Sequence, residues 1–150
     1  MDPTLASSST PRVVAWLGYG GLVPFAVLAI ATWAFPGHAA QLQAALRAYG
    51  AVILSFIGAL HWAFAMTLPS LSQAQRSVAF AWSTVPALLA WPALLLPLHA
   101  ATGVLLAGFV LHWLQDRRLA AGQALPRWYL PLRTRLTVVA CSCLVLGALR

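Results

Sequence analysis

Residues 49–68 read YGAVILSFIGALHWAFAMTL, and this stretch decides the fold. It carries no acidic or basic residue over a length sufficient, as a helix, to cross a hydrocarbon core of ~30 Å. His61 lies deep inside it, where an imidazole costs free energy unless it finds a polar partner. On a helical wheel Gly50, Ala51, Leu54, Gly58, His61 and Ala65 share one side. Small residues around the imidazole let other helices come close, so this side is expected to face protein and the remainder lipid.

The rest of the chain repeats the theme. Hydrophobic residues make up 61% of it and charged residues 7%, with a mean hydropathy of +0.83, whereas soluble domains carry about 25% charged residues. Apolar runs fall at about 13–35, 48–68, 77–97, 100–116 and 134–149. The expectation is an all-α polytopic integral membrane protein, a bundle of five transmembrane helices. Residues 12–150 form its single membrane domain, and the polar residues 1–11 form a disordered cytoplasmic N-terminus. The first run is too long for the apolar region of a signal peptide and is expected to be retained. It contains Gly18, Gly20, Gly21 and Pro24, which predict a kink and a notch for close helix packing. Pro86, Pro92 and Pro97 bend the third run, where Ser83 and Thr84 offer hydroxyls to backbone carbonyls freed by Pro86.

The fourth run places Ala101, Leu105, Gly108, His112 and Asp116 on one face. His112 and Asp116 stand four residues apart, close enough for the carboxylate to hydrogen-bond the imidazole. His112-Trp113 repeats the His61-Trp62 pair. Val23-Pro24 and Val85-Pro86 precede the two pairs, which raises without settling a duplication of two helical hairpins. Residues 117–133 are rich in Arg, Leu and Pro and are expected to lie along the membrane interface, with Trp128 and Tyr129 as anchors. Cys141 and Cys143 are spaced wrongly for a redox or zinc motif and read as small packing residues.

The net charge of +7 comes from arginines between the apolar runs. In a soluble protein such basicity would suggest nucleic acid, but here it sets topology. With five spans, Arg12, Arg76, Arg117, Arg118, Arg127, Arg133 and Arg135 fall on one side and Arg47 and Arg150 on the other. The positive-inside rule then predicts a cytoplasmic N-terminus and a periplasmic C-terminus. Arginine in place of lysine, with Ala and Leu as filler, points to a bacterial inner membrane protein.

No HExxH, GxSxG, Walker, CxxC or paired-acid motif is present, so an enzyme is not expected. The candidate ligand-binding residues are Gly58, His61, Trp62, Trp82, Pro86 and His112, lining a pocket between the second, third and fourth runs. A lipid, quinone or tetrapyrrole would suit such a pocket. The other role in the same class is an accessory or assembly subunit of a membrane complex, with lipids and complex subunits as partners and no nucleic acid. Asp116 is expected to form a structural ion pair with Arg117, Arg133 or Arg135. The alternative class is a small proton-coupled transporter, or a haem or metal protein, using His61, His112 and Asp116; two isolated histidines are a weak basis for a cofactor, and none is expected.

YGAVILSFIGALHW, STVPALLAW, LQDRRL and LPRWYLPLRTRLT together resemble a family of small polytopic proteins, domain of unknown function 3429, related to the mitochondrial transmembrane protein 69 of animals. The matching positions are Tyr49, Gly50, Ser55, Gly58, His61, Trp62, Pro86, Trp91, Asp116, Arg117, Trp128, Tyr129, Arg133 and Arg135. The resemblance implies a five-helix membrane protein of bacteria or mitochondria and brings no activity with it. In helix number alone the chain is also similar to the tryptophan-rich sensory protein and translocator family, a likeness that carries no function.

Overall fold

The structure is a computed structural model that describes residues 10–122 and 125–150. The described chain is all-helical: α1 Arg12–Gly20, α2 Val23–Ala34, α3 Ala39–Thr67, α4 Gln73–Ala93, α5 Leu98–Gly122 and α6 Tyr129–Ala148. The expected N-terminal tail lies outside the described residues up to position 9. Among the described residues four segments are long and apolar enough to cross a membrane: Arg12–Ala34, Pro36–Thr67, Leu98–Gly122 and Tyr129–Ala148. The remaining helix, α4, has 21 residues, but Gln73, Gln75, Arg76, Ser77, Ser83, Thr84 and two internal prolines dilute its apolar character.

The first span breaks where Gly20, Gly21 and Pro24 predict it. Pro24 has no N–H to continue the ladder, so α1 stops at Gly20 and α2 starts with the proline in its first turn. The Tyr49 hydroxyl donates to the Gly21 carbonyl at 2.9 Å, satisfying a backbone group inside the break. In α4 the prolines leave the helix continuous. Ser83 and Thr84 donate to the carbonyls of Phe80 and Ala81, three residues back, and not to the Trp82 carbonyl that Pro86 leaves free.

Other boundaries move from their expected places. α3 begins at Ala39, because the Gln- and Arg-containing turns before Tyr49 continue the helix beyond its apolar part. α5 runs to Gly122 and α6 begins at Tyr129, so most of the stretch expected to lie along the interface is helix continuing the two spans. Hydropathy marks the apolar part of a helix; backbone hydrogen bonding carries it into the polar flanks.

α3 is the central helix, packing on α2, α4, α5 and α6. Its buried residues, Leu46, Gly50, Ala51, Leu54, Ile57, Gly58, His61 and Ala65, include every position placed on the protein side of the wheel. In α5 the buried set includes Ala101, Leu105, Gly108, His112 and Asp116, again as the periodicity requires. The core joins Leu54 and Ile57 to Phe25, Ala90, Leu105, Phe109, Ala140, Cys143 and Leu144; Cys141 packs against it, and both cysteines are free. Outside, Trp16, Ile30, Phe56, Met66 and Leu88 are each about two-thirds exposed or more. A soluble protein rarely shows apolar patches on that scale, and lipid is the medium that covers them.

Polar caps close both ends. Ser72 and Gln75 form a reciprocal capping box at the start of α4, satisfying two of the donors that a helix start leaves free. Arg76 donates to the carbonyls of Ala65 and Leu68 at the end of α3, where a cation also complements the helix dipole. At the opposite end Arg47 donates to the Leu96 carbonyl and Arg150 stacks on Trp33.

Candidate functional site

Periodicity places His61 on the inner face of α3 and His112 and Asp116 on the inner face of α5. The tertiary fold brings these faces together and adds α6. His61 Nε2 donates to Asp116 Oδ1 at 3.0 Å. The Tyr129 hydroxyl donates to the same oxygen at 3.1 Å. Arg133 Nε donates to Asp116 Oδ2 at 2.8 Å. Asp116 is fully buried, and an isolated carboxylate in such a place would be prohibitively costly. Three donors and one opposite charge solve that problem and join α3, α5 and α6 at a single point.

His112 fits differently from its expected place. Its Nε2 lies 3.8 Å from Asp116 Oδ1, beyond hydrogen-bond length. Trp82 Nε1 donates to His112 Nδ1 at 3.2 Å, so α4 is drawn into the same cluster. The indole can only donate, hence Nδ1 is the acceptor and a neutral His112 carries its proton on Nε2. The two imidazoles face each other edge to face, with centroids 5.0 Å apart.

His61, His112 and Asp116 have ligand atoms within 4.8 Å of one another, which invites a metal. In this arrangement the same groups are engaged with protons and with Arg133. His61 Nε2 is a donor to the carboxylate, His112 Nε2 bears the proton assigned by Trp82, and Arg133 already occupies the other carboxylate oxygen. Two rings in contact also leave no space for a macrocycle between them.

The ion-pair set resolves to one arginine. Arg133 pairs with Asp116; Arg117 stacks over the Trp113 ring at 4.9 Å, and Arg135 reaches the Tyr19 hydroxyl at 3.4 Å. Arg117 is adjacent in sequence, yet a neighbour one residue on points about 100° away around the helix. Tyr129 is buried and donates to Asp116, in place of the expected anchoring role at the surface; Trp128 is half-buried beside it.

The pocket expected between α3, α4 and α5 is filled by packing. A Cβ at Gly58 would lie 2.8 Å from Pro86 Cγ and 3.0 Å from the Ser83 carbonyl. Trp62 is half exposed and packs edge-on against Phe80. A cavity of about 660 Å³ lies instead on the other flank of α3, and none of Gly58, His61, Trp62, Trp82, Pro86 or His112 lines it. Its walls come from α1, α2, α3 and α6, with Phe109 of α5 and the 125–128 connection closing it. Gly18 and Gly21, expected to serve close helix packing, lie on this wall. Sequence reasoning missed the cavity because its lining is ordinary aliphatic and aromatic residues; the glycines before the α1–α2 break were the one available signal.

Tyr129 and Arg133 belong to both features. They line the cavity and bond Asp116. Phe64 likewise lines it and packs against His61 and Tyr129.

The fold and its buried cluster define an all-helical membrane protein whose helices are joined by one charged polar centre, with an apolar cavity against it. The chain belongs to the DUF3429 family, described as proteins of unknown function, whose model matches residues 10–149. It is similar to Transmembrane protein 69 of Xenopus tropicalis, with 38% identity over 145 residues, covering 93% of this chain and 55% of the relative. The chain thus spans about half the length of that curated relative. No solved structure is significantly similar to it.

Proposed function

We propose that this protein is a non-enzymatic membrane protein that holds a hydrophobic ligand in the cavity between α1, α2, α3 and α6. The observation that carries the reading is the cavity itself. At about 660 Å³ it lies within the 300–1,000 Å³ typical of small-molecule sites. Its lining is almost wholly apolar, and Leu17 and Phe56 on its wall are largely exposed, so it opens towards the bilayer.

The test is native purification in mild detergent followed by mass spectrometry of bound small molecules. The expected result is a near-stoichiometric apolar molecule that is lost from Gly18→Leu, a substitution that pushes bulk into the cavity from its α1 wall. An empty wild-type protein, or equal occupancy in the variant, would sink the reading; a stoichiometric protein partner in its place would favour an accessory or assembly subunit.

The same reading takes all five long helical segments as spans in a bacterial inner membrane, with α4 held by packing where its hydropathy alone is low. Arginine distribution supports a cytoplasmic N-terminus and a periplasmic C-terminus. Reporter fusions are expected to find the two ends on opposite sides; both ends on one side would reduce the span count to four.

A further inference from the structure

We infer that the cavity takes an uncharged, lipid-soluble carbonyl compound of the quinone type, its carbonyl oxygen bonded by Arg133 and Thr137; this rests on the ligand-binding reading above. Two residues of the cavity wall each carry a buried polar atom without a partner among the described residues, Arg133 Nη2 and Thr137 Oγ1. Both residues are more than nine-tenths buried. They are one helical turn apart on α6 and so project from the same face.

The Thr137 hydroxyl is unusual in this molecule. Buried Thr32, Ser83 and Thr102 each donate to a carbonyl of their own helix, and so does Thr134 beside it. Thr137 does not, and its hydroxyl has no acceptor among the described residues. The Arg133 guanidinium has five N–H groups; Nε is committed to Asp116 and Nη2 is not. Two donors without an acceptor ask for an acceptor oxygen.

Charge decides what kind of oxygen. Asp116 and Arg133 already neutralise each other, and the carboxylate accepts from His61, Tyr129 and Arg133. A ligand carboxylate or phosphate would bring a third buried charge with no counter-ion, at a large desolvation cost. A carbonyl accepts both hydrogen bonds and adds no charge. The walls decide the shape. Phe64, Trp128 and Tyr129 stand together at this end of the cavity, supplying aromatic faces and edges for a flat ring. Leu125 and Pro126 line the same cavity beside Trp128. Ile57, Ile53, Leu136 and Ala140 add apolar lining suited to a hydrocarbon tail.

The full chain in lipid nanodiscs is titrated with a decyl-substituted benzoquinone, with decylbenzene and with palmitate. The quinone is expected to bind more tightly than decylbenzene and palmitate. Thr137→Val is expected to weaken quinone binding about tenfold, the effect of one lost hydrogen bond, while decylbenzene binding is unchanged and Thr137→Ser restores the quinone affinity. Equal affinity for quinone and decylbenzene, preference for palmitate, or full quinone affinity in Thr137→Val overturns the carbonyl assignment and leaves the cavity reading standing. Absence of binding by both uncharged probes, with no effect of Gly18→Leu on either, overturns the cavity reading itself.

Discussion

Replacing Asp116 by asparagine is expected to destabilise the folded protein by about 3–5 kcal/mol, the range found when one partner of a buried ion pair is removed. The cost arises on the partner's side. Arg133 Nε loses its carboxylate at 2.8 Å and is left as a buried cation with no other anion bonded to it among the described residues. The His61 and Tyr129 donors would share an amide oxygen of lower acceptor strength. A double replacement, Asp116→Asn with Arg133→Met, is expected to recover most of the loss, because it removes both charges and leaves the amide oxygen to accept from His61 and Tyr129. Unfolding in detergent or nanodiscs measures both. An Asp116→Asn protein as stable as wild type would mean that the cluster does not join α3, α5 and α6 as described. Arg117→Met serves as the comparison and is expected to change stability little, since that arginine is exposed on the outer face over Trp113.

Gly58→Ala is expected to cost about 1–3 kcal/mol, the usual penalty for forcing volume into a packed interface. At this position α3 and α4 approach until a single added carbon meets a proline ring at 2.8 Å and a backbone carbonyl at 3.0 Å. Neither neighbour can rotate away. Gly108→Ala makes the informative contrast: its added carbon would meet Leu54 Cδ2 at 2.5 Å, but that atom ends a side chain with other rotamers. Thermal unfolding of the two variants is expected to show the larger loss at Gly58. The reverse order would place the tight contact between α3 and α5, and the α3–α4 seam would then be the more tolerant one.

Much of the architecture was legible before any tertiary contact was known. The wheel positions of Gly58, His61 and Ala65 on α3, and of Gly108, His112 and Asp116 on α5, proved to be the buried ones, because in lipid the protein-facing stripe is marked by small and polar residues. The break at Pro24 was legible because proline removes a donor wherever it stands. The partner of Asp116 was narrowed to three arginines and no further. Arg133 is 17 residues away and differs from Arg135 only in which way α6 turns it, while Arg117 is turned outward on α5. The cavity was not foreseen for a related reason: histidines and tryptophans attract attention, yet Gly58 packs on Pro86 and Trp82 bonds His112.

The sequence by itself determined an all-helical membrane chain and the inner faces of its two histidine-bearing helices, since these depend on hydropathy and the period of a helix. Only the tertiary structure decided that one carboxylate gathers His61, Tyr129 and Arg133 and that an apolar cavity lies on the far flank of α3. Those depend on how four helices cross and rotate against one another. An empty volume leaves no mark on a sequence, because the residues around it are the same aliphatic and aromatic ones that would have filled it.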